Sequence, residues 1–298
     1  MTGLPTFFIV GPPRTGTTWL HEVLKNRAIL PSLIKETRFF DHHFHRGIDW
    51  YRAHYPSATS GRRVGEIAPT YFASNAARER IAKVIPEARI VCVFRNPVER
   101  VLSLYRLKRA YGMIPWNFDQ AVLLDPELVE SGRYATKLKA WQETFGIDQV
   151  LATLYDDLRD RPQSYIDRVA DFIGIARFEL TEPQRAVVNG SENMTHPRNY
   201  NRTRSAVLAA DWFKARRLGR LVARLKKSPL RKLFLGGGPP FAELSSEISH
   251  RMCEIFRPEV EELETILNRD LSAWKTFSSP IASAPMAPSP MPSVPTTT

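Results

Sequence analysis

The sequence predicts an α/β fold of three layers, with a mostly parallel central sheet flanked by helices. Three observations predict it. Runs of strand-forming residues recur at Thr6–Val10, Val64–Pro69, Ala88–Phe94 and Val150–Tyr155. Segments with helical spacing of apolar residues separate them. The third run, through Ile90-Val91-Cys92-Val93-Phe94, is almost continuously apolar, as in a strand covered on both faces.

In chain order, Thr6–Val10 runs into the turn Gly11-Pro12-Pro13-Arg14-Thr15-Gly16, and apolar positions from Thr18 to Leu24 begin a helix. Leu33–Asp41 reads as extended and then looped, and Asp49–Tyr55 as a short helix ended by Pro56. Pro69 closes the second strand, and Ala76–Ile85 is a helix stopped near Pro86. Pro97 fits the first turn of a helix over Val98–Arg109. Ala110–Glu130 has no steady period and reads as a mobile segment over a site. Tyr134, Leu138, Trp141 and Phe145 share a helix face, and Tyr165–Ile173 is a helix with Gly174 as its C-cap. Asn189–Arg204 is polar and irregular. Val207–Leu225 is helical, Gly236–Pro240 breaks the chain, and Phe241–Leu267 is a long helix. One domain over residues 1–277 is expected. Residues 278–298 carry six prolines and neither charge nor aromatic ring, so that tail is expected to be disordered.

Composition narrows the class. The chain has 298 residues and is 43% hydrophobic, enough for a sizeable core. Thr6–Val10 is too short for a secretory leader and reads as a strand, and no run of apolar residues is long enough to cross a membrane. Cys92 and Cys253 are isolated, so nothing requires an oxidising compartment and the cytoplasm is expected. The net charge is +11, and Asn201–Pro240 holds eleven Lys or Arg against one acid, Asp211. Such a segment reads as a solvated face, or as a surface for an anionic partner: an anionic acceptor, or a membrane met peripherally through the apolar stripe Leu218–Leu225. No nucleic-acid recognition pattern accompanies it.

The loop after the first strand carries the chemistry. Gly11 and Gly16 stand five apart with Thr17 and Thr18 following, which is P-loop-like spacing. A triphosphate loop needs a lysine where Thr17 stands; here the cation is Arg14. An arginine followed by three hydroxyls suits one phosphate or a phosphosulfate at a helix N-terminus. A second constellation follows the third strand: Arg95 at its end, and Ser103 about two turns into the next helix. A guanidinium grips phosphate bidentately and a serine hydroxyl adds a donor. His42, His43 and His45 lack the companions of a zinc site, so no metal is expected.

Together, Pro13–Trp19 and Arg95–Tyr105 resemble the 5′-phosphosulfate loop and the 3′-phosphate motif of sulfotransferases that use 3′-phosphoadenosine 5′-phosphosulfate (PAPS). Lys35–Asp41 and Gly47–Tyr51 are similar to the branch holding the heparan sulfate and bacterial sulfotransferases. Gly132–Ala135 with Trp141 and Phe145, Tyr155–Leu158, Phe256–Pro258 and Leu267–Leu271 extend the resemblance over residues 6–275. It implies that Arg14 contacts the bridging and transferred oxygens, that Thr15, Gly16, Thr17 and Thr18 hold the 5′-phosphate, and that Trp19 stacks on adenine. It implies Arg95 and Ser103 at the 3′-phosphate, with Thr195 in a late loop, Asn193–Pro197, closing on it. In that loop Asn193-Met194 replaces the family's Gly-Arg. Glu36 matches the catalytic base, with His42 and His196 as alternatives. Ile67 stands where relatives often carry a lysine, which puts more weight on Arg14. Lys35 and Arg38 beside Glu36 are expected to keep it ionised unless burial opposes them. The implied reaction moves a sulfuryl group to a hydroxyl, or less readily an amine, of a small molecule, lipid or glycan. The rivals are a nucleotide kinase or NTPase, and a non-catalytic membrane- or polyanion-binding protein.

Overall fold

Four strands form one parallel sheet in the computed structural model, which describes residues 3–32, 34–56, 61–185, 194–215 and 237–276. They are β1 (Phe7–Ile9), β2 (Gly65–Ile67), β3 (Arg89–Phe94) and β4 (Val150–Leu154), in the order β2-β1-β3-β4. All four were legible in the sequence. Phe8 faces Glu66 on one side and Ile90 on the other, and Phe94 pairs with Leu154.

Successive side chains of a strand point to opposite faces, and the two faces here bury different partners. Phe7, Ile9, Val91 and Val93 pack on Leu20, Val23 and Leu24 of α1 (Thr17–Leu24), and on Ile166, Val169 and Ile173 of a later helix (Pro162–Ile173). Phe8, Val10, Ile90, Cys92 and Phe94 pack the opposite way, against residues from most of the other helices. Helices on both faces explain the near-continuous apolar reading of β3. Cys92 belongs to this core, and burial pushes its thiol far above the ordinary range. The sheet is packed tightly enough to dictate a glycine. A Cβ on Gly65 would lie 2.1 Å from the Phe7 ring. Gly65→Ala is expected to destabilise the protein by about 1–3 kcal/mol, read as a lower urea midpoint.

The helices follow their sequence signals. α2 (Ile48–Arg52) and α3 (Asn75–Val84) lie between β1 and β3 in the chain, and α4 (Pro97–Ala110) follows β3. Asn96 caps α4 by accepting from the amides of Val98 and Glu99, with Pro97 in the first turn. Ala110–Glu130, expected to be mobile, instead holds α5 (Phe118–Leu124) and α6 (Pro126–Glu130). Helices this short show too few turns to reveal a period. A capping box of Asn117 and Gln120 starts α5, and Lys108 ties the segment down through Asp125 and Glu127, both at 2.6 Å. α7 (Tyr134–Phe145), α8 (Tyr155–Asp160) and α9 (Pro162–Ile173) follow, and Gly174 ends α9 in the left-handed conformation. A single helical turn, α10 (Glu182–Arg185), comes next.

Two further expectations need correction. Within Asn189–Arg204, β5 (Thr195–Pro197) and the start of α11 (Tyr200–Ala215) are ordered elements. Gly237–Pro240 is β6, paired antiparallel with β5, rather than a break. Glycine and proline carry no strand propensity, so this pairing left no sequence signal. The last helix, α12 (Ser246–Leu267), starts where Ser245 caps it, later than Phe241. The stripe Leu218–Leu225 and the tail 278–298 lie outside the described residues.

Candidate functional site

β1 delivers the chain to a loop closed by the Thr15 hydroxyl, which donates to the Pro12 carbonyl at 2.8 Å. Thr15 is fully buried, so its side chain shapes the loop and only its amide remains for a ligand. Arg14 adopts φ 79°, a left-handed conformation that a non-glycine residue rarely takes and that concentrates at binding sites. Gly16, at φ 92°, is the N-cap of α1 and offers no capping side chain. A Cβ there would come within 3.1 Å of Leu158. The amides of Thr17, Thr18 and Trp19 therefore have no acceptor within the helix and point where an anion is favoured.

The two motifs meet. Arg14 Nε donates to Ser103 Oγ at 2.8 Å, across 89 positions of sequence. Adjacency of β1 and β3 makes this possible, because the loop after each strand opens at the same edge of the sheet. Arg95, just beyond β3, is held by Glu99 through Nε at 3.0 Å and Nη2 at 2.8 Å, and its guanidinium lies 4.9 Å over the Tyr155 ring. Burial, and next the charge of Arg95, lower the Arg14 pKa. Among the described residues Arg14 has no carboxylate partner within ion-pair distance. Arg95 already has the Glu99 carboxylate, but Arg14, buried beside a second cation, is destabilised until an anion joins it.

Glu36 lies beside this cradle through its neighbour. Lys35 Nζ donates to Thr18 Oγ1 at 3.1 Å and stands 3.7 Å from Glu36 Oε1. Lys35 is a cation that the sequence reading missed as a site group; its only signal was adjacency to Glu36. Burial raises the Glu36 pKa, with Lys35 and Arg38 opposing less strongly. Burial thus outweighs the cations and makes this carboxylate a better base.

The remaining candidates are placed less directly. Trp19 donates its indole N–H to the Gln184 carbonyl at 2.7 Å and meets Tyr165 edge-on at 6.3 Å. Thr195, in β5, accepts from the Gly237 amide at 2.9 Å and shares no described hydrogen bond with either arginine. His196 lies 4.0 Å from the Phe241 ring, and burial lowers its pKa. His42 is engaged by Arg38 and Asp41. Among the described residues no group of three or more His, Cys, Asp or Glu could hold a metal ion.

A second carboxylate, just before Ile67, was not among the expected site residues. Glu66, in β2, is fully buried, and every group donating to it is uncharged: Thr37 N and Oγ1, Tyr51 Oη and Tyr71 Oη. Tyr55 adds a hydroxyl to Tyr51 at 2.9 Å. Burial pushes Glu66 up to about 6, against the opposing pull of these hydrogen bonds. Between the ordinary carboxylate value and about 6 the folded state holds this proton more firmly than the unfolded chain. Stability relative to Glu66→Gln is therefore expected to rise as pH falls through this window, by about 2 kcal/mol between pH of about 7.5 and about 4.5. Urea titrations of both proteins across that range check it.

A family model described as Sulfotransferase domain matches residues 4–198. The bifunctional heparan sulfate N-deacetylase/N-sulfotransferase 2 of Bos taurus is 33% identical over 198 residues, which is 59% of this chain and 22% of the relative. The bifunctional heparan sulfate N-deacetylase/N-sulfotransferase 1 of Mus musculus is 30% identical over 194 residues, 57% of this chain and 22% of the relative. The chain thus spans about a fifth of the length of these relatives. Among solved structures, a sulfotransferase from Alicyclobacillus acidocaldarius aligns over 92% of this chain and 99% of its own, with TM-score 0.64 at 20% identity, and shares the fold.

Proposed function

The chain belongs to the PAPS-dependent sulfotransferase domain family, and on that premise we propose that Arg14, Ser103 and Arg95 form one cradle for PAPS and that Glu36 is the base that deprotonates the acceptor. The observation that carries this reading is the Arg14–Ser103 hydrogen bond, with Arg95 beside it. PAPS supplies the sulfuryl group: the acceptor oxygen forms a bond to sulfur, the bridging S–O bond breaks, and its electron pair stays on the 5′-phosphate. The open amides of Thr17, Thr18 and Trp19, with those of Thr15 and Gly16, face that phosphate, and Arg14 meets the charge that grows on the bridging oxygen. Arg95 and Ser103 hold the 3′-phosphate, and Thr195 of β5 is assigned to the same phosphate on the resemblance alone. Glu36 takes the acceptor proton, a task suited to a carboxylate whose pKa burial has raised. Lys35, between Thr18 and Glu36, supplies the second cation that Ile67 does not.

The acceptor we propose carries a hydroxyl, with an amine as the second choice. The relatives named for N-sulfotransferase activity support the amine. The excess of Lys and Arg over Asn201–Pro240 supports an anionic acceptor, and exposed Leu208 and Trp212 on α11 support a membrane-associated one. We assign catalysis to residues 1–277. Incubation with sulfur-labelled PAPS and, separately, with γ-labelled ATP tests the reading, using a phenol, a sterol and a glucosamine glycan as acceptors. Label is expected to leave PAPS with release of PAP. Turnover of ATP alone would overturn it.

A further inference from the structure

We propose that Glu66 is a positioning residue for the base: its buried carboxylate fixes Thr37, and through Thr37 the backbone that carries Glu36. The inference rests on the assignment of Glu36 as base.

Thr37 is 1% exposed and gives Glu66 Oε1 both of its donors, the amide at 2.9 Å and the hydroxyl at 2.6 Å. The same hydroxyl accepts from the Phe39 amide at 3.1 Å, so one side chain pins the chain on both sides of Arg38. Arg38 itself is left-handed, at φ 51°, and turns the chain away immediately after Thr37. On its other oxygen Glu66 takes the Tyr51 hydroxyl at 2.7 Å from α2, and the Tyr71 hydroxyl at 3.3 Å from the turn after β2. Glu66 is therefore gripped from both sides while it grips Thr37.

The anchor point matters as much as the grip. Glu66 lies in the central sheet, in register with Phe8 of β1, and the Ala68 amide bonds the Ile9 carbonyl at 3.0 Å where β1 leaves for the Arg14 loop. Base and phosphate loop are thus referenced to the same two strands. A rigid element under a reactive group holds geometry that a loop alone would not, and a displacement of about 1 Å can cost roughly 100-fold in rate. Stability does not explain the arrangement. A carboxylate surrounded by neutral donors in the core pays for its desolvation without a counter-charge.

The test uses the full chain, with PAP release from labelled PAPS measured on the same three acceptors and with water alone, and PAP affinity measured by calorimetry. Thr37→Val and Glu66→Gln are expected to lower kcat by roughly 10–100-fold, with PAP affinity and the KM for PAPS within about twofold of wild type. Thr37→Ser, which keeps the hydroxyl, is expected to restore kcat. Glu36→Gln combined with Thr37→Val is expected to be no slower than Glu36→Gln alone, because Thr37 acts through Glu36. Wild-type kcat in both Thr37→Val and Glu66→Gln, with Glu36→Gln inactive, overturns the positioning role alone. So does a double variant slower than Glu36→Gln by the full single-variant factor. Full turnover in Glu36→Gln overturns the base assignment and the positioning role with it. Should Glu66→Gln fail to bind PAP, Thr37→Val with Thr37→Ser decides the question.

Discussion

Glu36→Gln is expected to bind PAP as the wild type does and to lose turnover by about 10²–10⁴-fold, the range that a positioned general base contributes. The amide is nearly isosteric with the carboxylate, so packing changes little; what disappears is the ability to take a proton. Burial raises this carboxyl although Lys35 and Arg38 both act to lower it, so the site makes a stronger base than an exposed glutamate. A low-pH limb in the kcat profile of the wild type follows, because protonated Glu36 cannot accept the acceptor's proton. Turnover close to wild type in Glu36→Gln would move the base to His42 or His196. Of these, His196 lies on β5 against Phe241, and His42 is held by Arg38 and Asp41.

Arg14→Ala is expected to lower kcat by about 10²–10³-fold, comparable to removing one preorganised donor from the site of developing charge. The guanidinium is preorganised twice: its Nε is fixed on Ser103 at 2.8 Å, and its backbone is held at φ 79° by the buried loop. It is also destabilised before ligand arrives, by burial and by the charge of Arg95, so an incoming anion relieves a standing cost. Arg14→Lys keeps the charge but loses the fork that reaches Ser103 and substrate together, and is expected to recover only part of the rate. Single-turnover measurements with saturating PAPS separate this loss from weaker binding.

The sheet was legible because β1, β3 and β4 lie in runs of strand-forming residues and β2 is closed by Pro69. Ile90–Phe94 is the clearest, and burial on both faces is the reason. β6 was illegible for the opposite cause: Gly237-Gly238-Pro239-Pro240 pairs with β5 through few bonds and no propensity. The meeting of the two loops was legible because Gly16, Arg14 and Ser103 each stand at a specific offset after parallel, adjacent strands. What that reasoning did not reveal is which partner each group takes. Ser103 meets Arg14 rather than Arg95, and the Thr15 hydroxyl is spent on Pro12. Glu66 was invisible as a site residue because its meaning lies in three elements, around Thr37, Tyr51 and Tyr71, that converge on it only after folding.

The most direct measurement is the preference for PAP over AMP, which lacks the 3′-phosphate, determined by calorimetry for the wild type, Arg95→Ala and Arg14→Ala. One bidentate charge-assisted contact of about 2 kcal/mol gives the wild type a preference of roughly 30-fold. Arg95→Ala is expected to abolish that preference, while Arg14→Ala weakens both ligands and keeps it. An unchanged PAP-to-AMP ratio in Arg95→Ala would contradict the assignment of these two arginines to opposite ends of one nucleotide.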